Sequence, residues 1–94
     1  MALKIIQEED SFLIQGIINS STVKQFKNHL EFLLLYTKAL TININEVKSI
    51  DRNGVYVIRN LHTKALINNK KFSVIGYGCK EIYDDFEYKP FYSL

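Results

Sequence analysis

The sequence predicts an α/β domain: a four-stranded mixed sheet packed against helices, in the order β-β-α-β-α-β-α. Three observations lead there. Short runs of apolar residues alternate with polar ones, most clearly at Leu40, Ile42 and Ile44. Two longer stretches, 22–38 and 53–67, repeat their apolar residues at helical spacing. Capping and turn residues separate these runs, so each element has a signalled start or stop.

The first strand is read over Leu3 to Gln7, and Glu8-Glu9-Asp10-Ser11 forms a polar turn. Phe12 to Ile18 is the second strand, which makes a hairpin with the first. Gly16 lies inside it, where glycine marks a bulge or a close backbone approach. Asn19-Ser20-Ser21-Thr22 is dense in capping residues, and Thr22 with Gln25 three later fits a capping box. The helix that follows runs to about Lys38, with Val23, Phe26, Leu30, Leu33 and Leu34 as its core face. Phe32, Leu35 and Tyr36 fall partly off that stripe. They either cover a sheet edge or neighbouring helix, or form a contact surface for self-association, a homodimer included.

The third strand spans Leu40 to Ile44. A short loop is read after it, with Val47 and Ile50 turned inward. Asp51 and Asn53 are both good N-cap residues for the second helix, Asn53 to Ile67, whose apolar face is Val55, Ile58, Leu61, Ala65 and Leu66. A strand, a tight loop and a helix N-terminus make a corner whose free backbone N–H groups suit an anion or a partner carboxylate. Asn68-Asn69-Lys70 ends the helix, because asparagine tolerates the left-handed conformation. Phe72 to Tyr77 is the fourth strand, parallel to the third through a right-handed crossover. Gly76 and Gly78 bracket Tyr77 as a turn. A short third helix is read over Lys80 to Phe86, and the aromatic tail from Glu87 to Leu94 is expected to pack back on the body.

At 94 residues the chain has room for one domain, 1–94, which buries roughly 60–70% of its unfolded surface. Apolar residues make up 47% and charged residues 23%, an ordinary globular balance. A net charge of +2 with scattered lysines gives no electrostatic case for a nucleic-acid or membrane surface. Cys79 is the sole cysteine, so no internal disulfide forms, and a reducing, cytoplasmic setting is expected. No signal peptide or transmembrane span is read.

Catalytic and cofactor signatures are absent. His29 and His62 have no second ligand at metal spacing, so each is read as a surface or half-buried histidine and no metal or other cofactor is expected. Cys79 near a helix start could carry a lowered pKa but reads better as a small buried residue. Asp84 and Asp85 are adjacent on a helix and do not face each other. No Gly-rich phosphate loop follows a strand. The domain is therefore expected not to be an enzyme.

The corner also carries a family resemblance. Asn43-Ile44-Asn45 followed by Asp51-Arg52-Asn53-Gly54 resembles the signature of STAS domains, the fold of anti-sigma factor antagonists and of the cytoplasmic domains of sulfate transporters. In that pattern an apolar strand ends in Asp-Leu-Ser, an apolar-x-apolar step follows, and Asp-Ser-(Ser or Thr)-Gly opens a helix. Asp51 and Gly54 agree with it; the two hydroxyl residues between them are replaced by Arg52 and Asn53. Gly16-Ile17-Ile18 followed by Thr22-Val23 resembles the family's Gly-x-apolar segment entering its first helix. The resemblance covers about residues 3 to 87, with the family's last strand and helix shortened or replaced by the aromatic tail.

The resemblance implies a non-catalytic, bacterial, protein-binding regulator of transcription. Its implied partner is an anti-sigma factor that is also a serine-kinase-like ATPase. In the resembled antagonists the hydroxyl residue just before the glycine accepts a phosphate, which adds about −1.5 to −2 charge at the helix N-terminus and ejects the partner. By position that acceptor is Asn53, which has no hydroxyl and cannot be phosphorylated. Ser49, the nearest hydroxyl, lies on the wrong side of Asp51. A partner is expected over Asp51, Arg52, Asn53, Gly54 and Tyr56. Arg52 at a helix N-terminus is unfavourable by roughly 0.3–1 kcal/mol, a cost it can bear if it serves an acidic partner group. Otherwise Arg52 is a solvated loop residue and Asp51 only a cap. The alternative is a structural subunit resembling the STAS components of lipid-transport ABC systems, with its contact on the Phe32, Leu35 and Tyr36 side.

Overall fold

Alternating apolar residues on each strand give one buried face, and two amphipathic helices cover it. The computed structural model describes residues 3–77. Its elements are β1 (Lys4–Gln7), β2 (Phe12–Ile18), α1 (Val23–Tyr36), β3 (Ala39–Ile50), α2 (Arg52–Ile67) and β4 (Lys71–Ile75). The third helix read over 80–86, the aromatic tail, Cys79 and the Asp84–Asp85 pair lie outside the described residues. The strands form one mixed sheet in the order β1-β2-β3-β4. β1 and β2 pair antiparallel, and β2–β3 and β3–β4 pair parallel. The Glu8 N–H donates to the Ser11 carbonyl at 2.8 Å and closes the β1–β2 hairpin. The predicted α/β class and element order hold through β4.

Two successive right-handed crossovers in the same direction across the sheet place both helices on one face. They pack on each other as well as on the strands. Ile14 and Ile18 of β2, Leu40, Ile42 and Ile44 of β3, Phe26 and Leu30 of α1, and Ile58 and Leu61 of α2 are essentially inaccessible to solvent. Phe12, Ile5, Phe72 and Val74 pack around them, half-buried.

The loop read after Ile44 is a correction. β3 does not stop there but continues to Ile50. The apolar residues after Ile44 recur every third position, at Val47 and Ile50, which breaks the strand alternation. The register explains this spacing. Leu13 pairs with Asn43 but Gln15 with Glu46, and Gly16 pairs with Val47 but Ile17 with Ser49. At each step β3 carries one more residue than β2, so two bulges lie in the β2–β3 ladder. Each extra residue turns the next apolar side chain back to the core: Val47 after the first bulge, Ile50 after the second. Gly16 takes φ +113 between the two shifts, which is the feature that its position inside a strand signalled.

The capping box read at α1 does not form. Thr22 makes no side-chain cap bond and is itself nearly helical, with φ −117° and ψ −12°. Its hydroxyl instead donates to the Ile17 carbonyl at 2.8 Å and accepts from the Asn19 N–H at 2.9 Å. The Asn19 carbonyl accepts from the N–H groups of Thr22 and Val23 and supplies the first turn. Gln25 reaches away to the Leu3 carbonyl. α1 ends at Tyr36, short of Lys38, where Thr37 turns extended and returns its hydroxyl to the Leu33 carbonyl. On α2, Val57 is buried and Leu66 exposed, so the apolar face is rotated from the one read in the sequence. β4 ends at Ile75, before Gly76 takes φ +94.

An ion pair ties the helices together. Lys64 of α2 donates to Glu31 of α1 at 2.8 Å, and Lys27 stands 3.7 Å from the other Glu31 oxygen. The hydrogen bond from Lys64 is the main cause that lowers the Glu31 pKa below the ordinary 4.5, against the opposing effect of burial and with further help from the charges of Lys64 and Lys27. A carboxylate with a depressed folded pKa contributes stability above its unfolded pKa and loses it as pH falls through the folded value. Because Lys64 is more than half exposed, the contribution is small, about 0.2–1 kcal/mol. Glu31→Gln is therefore expected to lower stability at neutral pH by about that much, and the difference from wild type should vanish below the folded pKa. Urea titrations across pH check this; an offset that persists in acid would mean packing rather than charge.

Candidate functional site

The corner between β3 and α2 is built by a single residue used three ways. The Asp51 N–H donates to the Ile18 carbonyl at 2.9 Å, which ties the end of β3 to the end of β2. The Asp51 carbonyl accepts from Val55 at 3.1 Å as the first helical bond. The Asp51 side chain accepts from the Gly54 N–H at 3.1 Å. Asp51 has extended backbone, with φ −93° and ψ −179°, as an N-cap must. Of the two cap candidates the structure selects Asp51, and Asn53 becomes the second residue of the helix. Satisfying Gly54 leaves the backbone N–H groups of Arg52 and Asn53 as the outward-facing donors of the turn.

Gly54 holds the helix against the sheet. A Cβ built there would lie 2.6 Å from Ile18 Cγ2 and 2.6 Å from Ile50 Cγ1. Both isoleucines are buried, and Cγ2 of a β-branched side chain cannot swing away. The glycine serves close approach, with no demand for an unusual backbone angle.

With Asp51 capping and Gly54 buried, the side chains left outside are Arg52, Asn53 and Tyr56. Tyr56 is 60% exposed. The Arg59 guanidinium carbon stands 5.9 Å from the centre of its ring, within cation–π reach. Arg59 did not figure among the sequence-predicted site residues, although its i+3 spacing from Tyr56 is the signal that finds it. No acidic residue occurs anywhere in α2, so the charged side chains of the helix itself are all basic.

The five predicted residues are brought together, then, but they divide. Asp51 and Gly54 make the joint, and Arg52, Asn53 and Tyr56 form its outer surface. Asn43 and Asn45, which stand where the resembled motif has acidic and hydroxyl residues, are engaged with the backbone. The Asn43 side chain accepts from the Asn45 N–H at 2.9 Å, and the Asn45 side chain accepts from the Tyr77 N–H at 2.8 Å. A Cβ on Gly76 would lie 2.7 Å and 2.8 Å from those two oxygens. This pair closes the end of β4. The turn Asn19–Ser21 lies at the same end of the sheet, because β2 and β3 finish side by side at Ile18 and Ile50.

A second exposed surface lies at the other end of α1. Phe32, Leu35 and Tyr36 are 59%, 66% and 71% exposed, and the rings of Phe32 and Tyr36 meet at 4.9 Å. Among the described residues they cover neither a sheet edge nor a neighbouring helix. His29 is exposed and His62 half-buried. Among the described residues no three His, Cys, Asp or Glu side chains gather into a metal-binding group, and no helix is long and apolar enough to cross a membrane.

With this geometry in place, comparison with known proteins shows the fold. The chain is similar to the unphosphorylated anti-sigma factor antagonist SpoIIAA, with a TM-score of 0.73 and 12% identity over 95% of this chain and 84% of that one. It is similar to a protein from Shewanella loihica PV-4 described as having a SpoIIAA-like fold, with a TM-score of 0.51, 20% identity, and coverage of 95% and 79%. Mglu matches over 76% of this chain but only 18% of its own length, with a TM-score of 0.59 and 19% identity. No family model matches the sequence. No curated protein matches it. The fold is thus the STAS-like fold of the anti-sigma factor antagonists, as the Asp51–Gly54 motif implied.

Gly54→Ala is expected to destabilise the domain by about 1–2 kcal/mol, because overpacking against Ile18 and Ile50 outweighs the gain of about 1 kcal/mol that alanine brings to a helix. Equilibrium denaturation measures it; a stabilised variant would show that the two isoleucines move freely aside.

Proposed function

We propose that this domain is a non-catalytic protein-binding module that docks a partner at the β3–α2 corner, without a phosphorylation switch at position 53. The observation that carries the reading is the division of labour at the corner. Asp51 and Gly54 fix the first turn of α2 internally, and this fixed turn presents Arg52, Asn53 and the exposed Tyr56 ring side by side. A rigid platform with an arginine and an aromatic anchor is the composition that dominates binding energy at protein interfaces. The likeness to an anti-sigma factor antagonist supports a partner of the anti-sigma, serine-kinase-like ATPase kind. It supports a bacterial role in transcription regulation, in the cytoplasm, by one domain spanning residues 1–94.

Asn53 sets the regulation. It sits at the second position of α2, exposed, with an amide where a switched module needs a hydroxyl. Binding is then constitutive, or controlled by the amounts of the two proteins. Arg52 meets an acidic group of the partner as a two-pronged donor.

A second reading has its own observation. The exposed Phe32, Leu35 and Tyr36 surface fits a structural subunit of a lipid-transport ABC-type assembly, which contacts its neighbours through α1. Large exposed apolar groups clustered on one helix mark interaction surfaces.

A pull-down from native lysate, with the wild type beside Arg52→Glu and Leu35→Glu, separates the two. The corner reading predicts that Arg52→Glu loses its partner roughly tenfold or more, as expected when a buried charge pair is replaced by repulsion, while Leu35→Glu retains it. Loss in Leu35→Glu alone, with a membrane ATPase component bound to the wild type, would overturn it in favour of the α1 surface.

A further inference from the structure

The packing demand at position 54 has a chemical consequence. Glycine fits between Ile18 and Ile50 without displacing either, and the residue before it is Asn53, whose side chain is open to water. An Asn–Gly step is prone to intramolecular attack, because no Cβ screens the amide nitrogen that follows the asparagine. We propose that Asn53 is a site of spontaneous deamidation, and that the Asp51 cap sets its rate.

The reaction balances with water as the only co-reactant. The Gly54 nitrogen loses its proton and bonds to Cγ of Asn53, and ammonia leaves. The resulting succinimide ring is opened by water at either carbonyl, which gives an aspartyl or an isoaspartyl residue at position 53. The folded corner opposes the first step. The attacking nitrogen is the one whose proton Asp51 Oδ1 holds at 3.1 Å. Helical backbone also disfavours the approach of that nitrogen to Cγ, the side-chain amide carbon of Asn53. Both restraints belong to the first turn of α2, and helix ends fray. Breaking one side-chain hydrogen bond and opening one turn exposes the nucleophile without unfolding the sheet.

The aspartyl product suits the fold. A carboxylate at the second position of α2 lies at the positive end of the helix dipole, where negative charge is favoured. The outer surface of the corner then gains a negative charge beside Arg52. Asn53 thereby acts as a slow, one-way charge change at a position that no kinase can use. The chemistry stands independently of partner binding; its effect on binding rests on the docking surface proposed above.

The full chain is incubated in mildly alkaline buffer, and conversion at position 53 is followed by peptide mass analysis and isoaspartate assay. Wild type, Asp51→Ala, Asp51→Ser and Ile42→Val are compared, with Asn53→Gln as the blank. Asp51→Ala should convert roughly tenfold faster than wild type, the factor that loss of one hydrogen bond to a charged group gives. Asp51→Ser keeps a cap and should stay near the wild-type rate. Ile42→Val loosens the core while leaving the cap intact, and should also stay near wild type. Equal rates in wild type and Asp51→Ala would overturn the proposal. So would acceleration in Ile42→Val that matches Asp51→Ala, since global unfolding would then control the reaction.

Discussion

α2 enters the molecule with no room for a side chain at its third residue, and much of the structure follows from that contact. To bring Gly54 against Ile18 and Ile50, the chain must leave β3 at a fixed height and turn at once into a helix. Asp51 makes the turn with one backbone bond to β2 and one side-chain bond to Gly54. The helix then lies flat enough for Ile58, Leu61 and Ala65 to seal the sheet, and α1 packs beside it. The same contact forces every long side chain of the first turn outward. A surface of Arg52, Asn53 and Tyr56 is thus a geometric result of tight packing beneath it.

The bulges of β3 serve the same joint. A regular strand from Leu40 would have carried Val47 and Ser49 to the outer face and Ile50 to the inner one only by chance of count. Two extra residues reset the alternation, so that Ile44, Val47 and Ile50 all point to the helices and the Asp51 N–H arrives at the Ile18 carbonyl. Gly16 with positive φ on β2 accommodates the local twist. Bulged pairing at the end of a strand often aims functional residues, and here it aims a cap.

Much of this was legible in the sequence where short-range chemistry decides. Asp51 before an apolar-periodic run signals a cap, Gly16 inside a strand signals irregular pairing, and the alternation at Leu40–Ile44 signals β structure. Long-range partners decided the rest. The spacing of Val47 and Ile50 looks like a loop until Gln15 and Ile17 are placed opposite. Thr22 and Gln25 form a capping pattern on paper, yet Ile17 and Leu3 offer their carbonyls and divert both side chains. On α2 the buried residues Gly54, Val57, Ile58, Leu61 and Ala65 follow one helical stripe, and only once Gly54 is counted on that face does Val57 fall inside and Leu66 outside. At the site, the Asp51 and Gly54 identities carried the motif, whereas Arg59 needed the helix geometry to be placed over Tyr56.

The central claim is that Asp51 locks the first turn of α2 and so fixes the surface outside it. Native-state amide hydrogen exchange, resolved by residue, tests this most directly. The account predicts that the Gly54 amide exchanges far more slowly than those of Arg52 and Asn53, and that Asp51→Ala removes the difference. A Gly54 amide exchanging as fast as its two neighbours in the wild type would contradict it, because the turn would then be open in solution and the outer surface would have no fixed form.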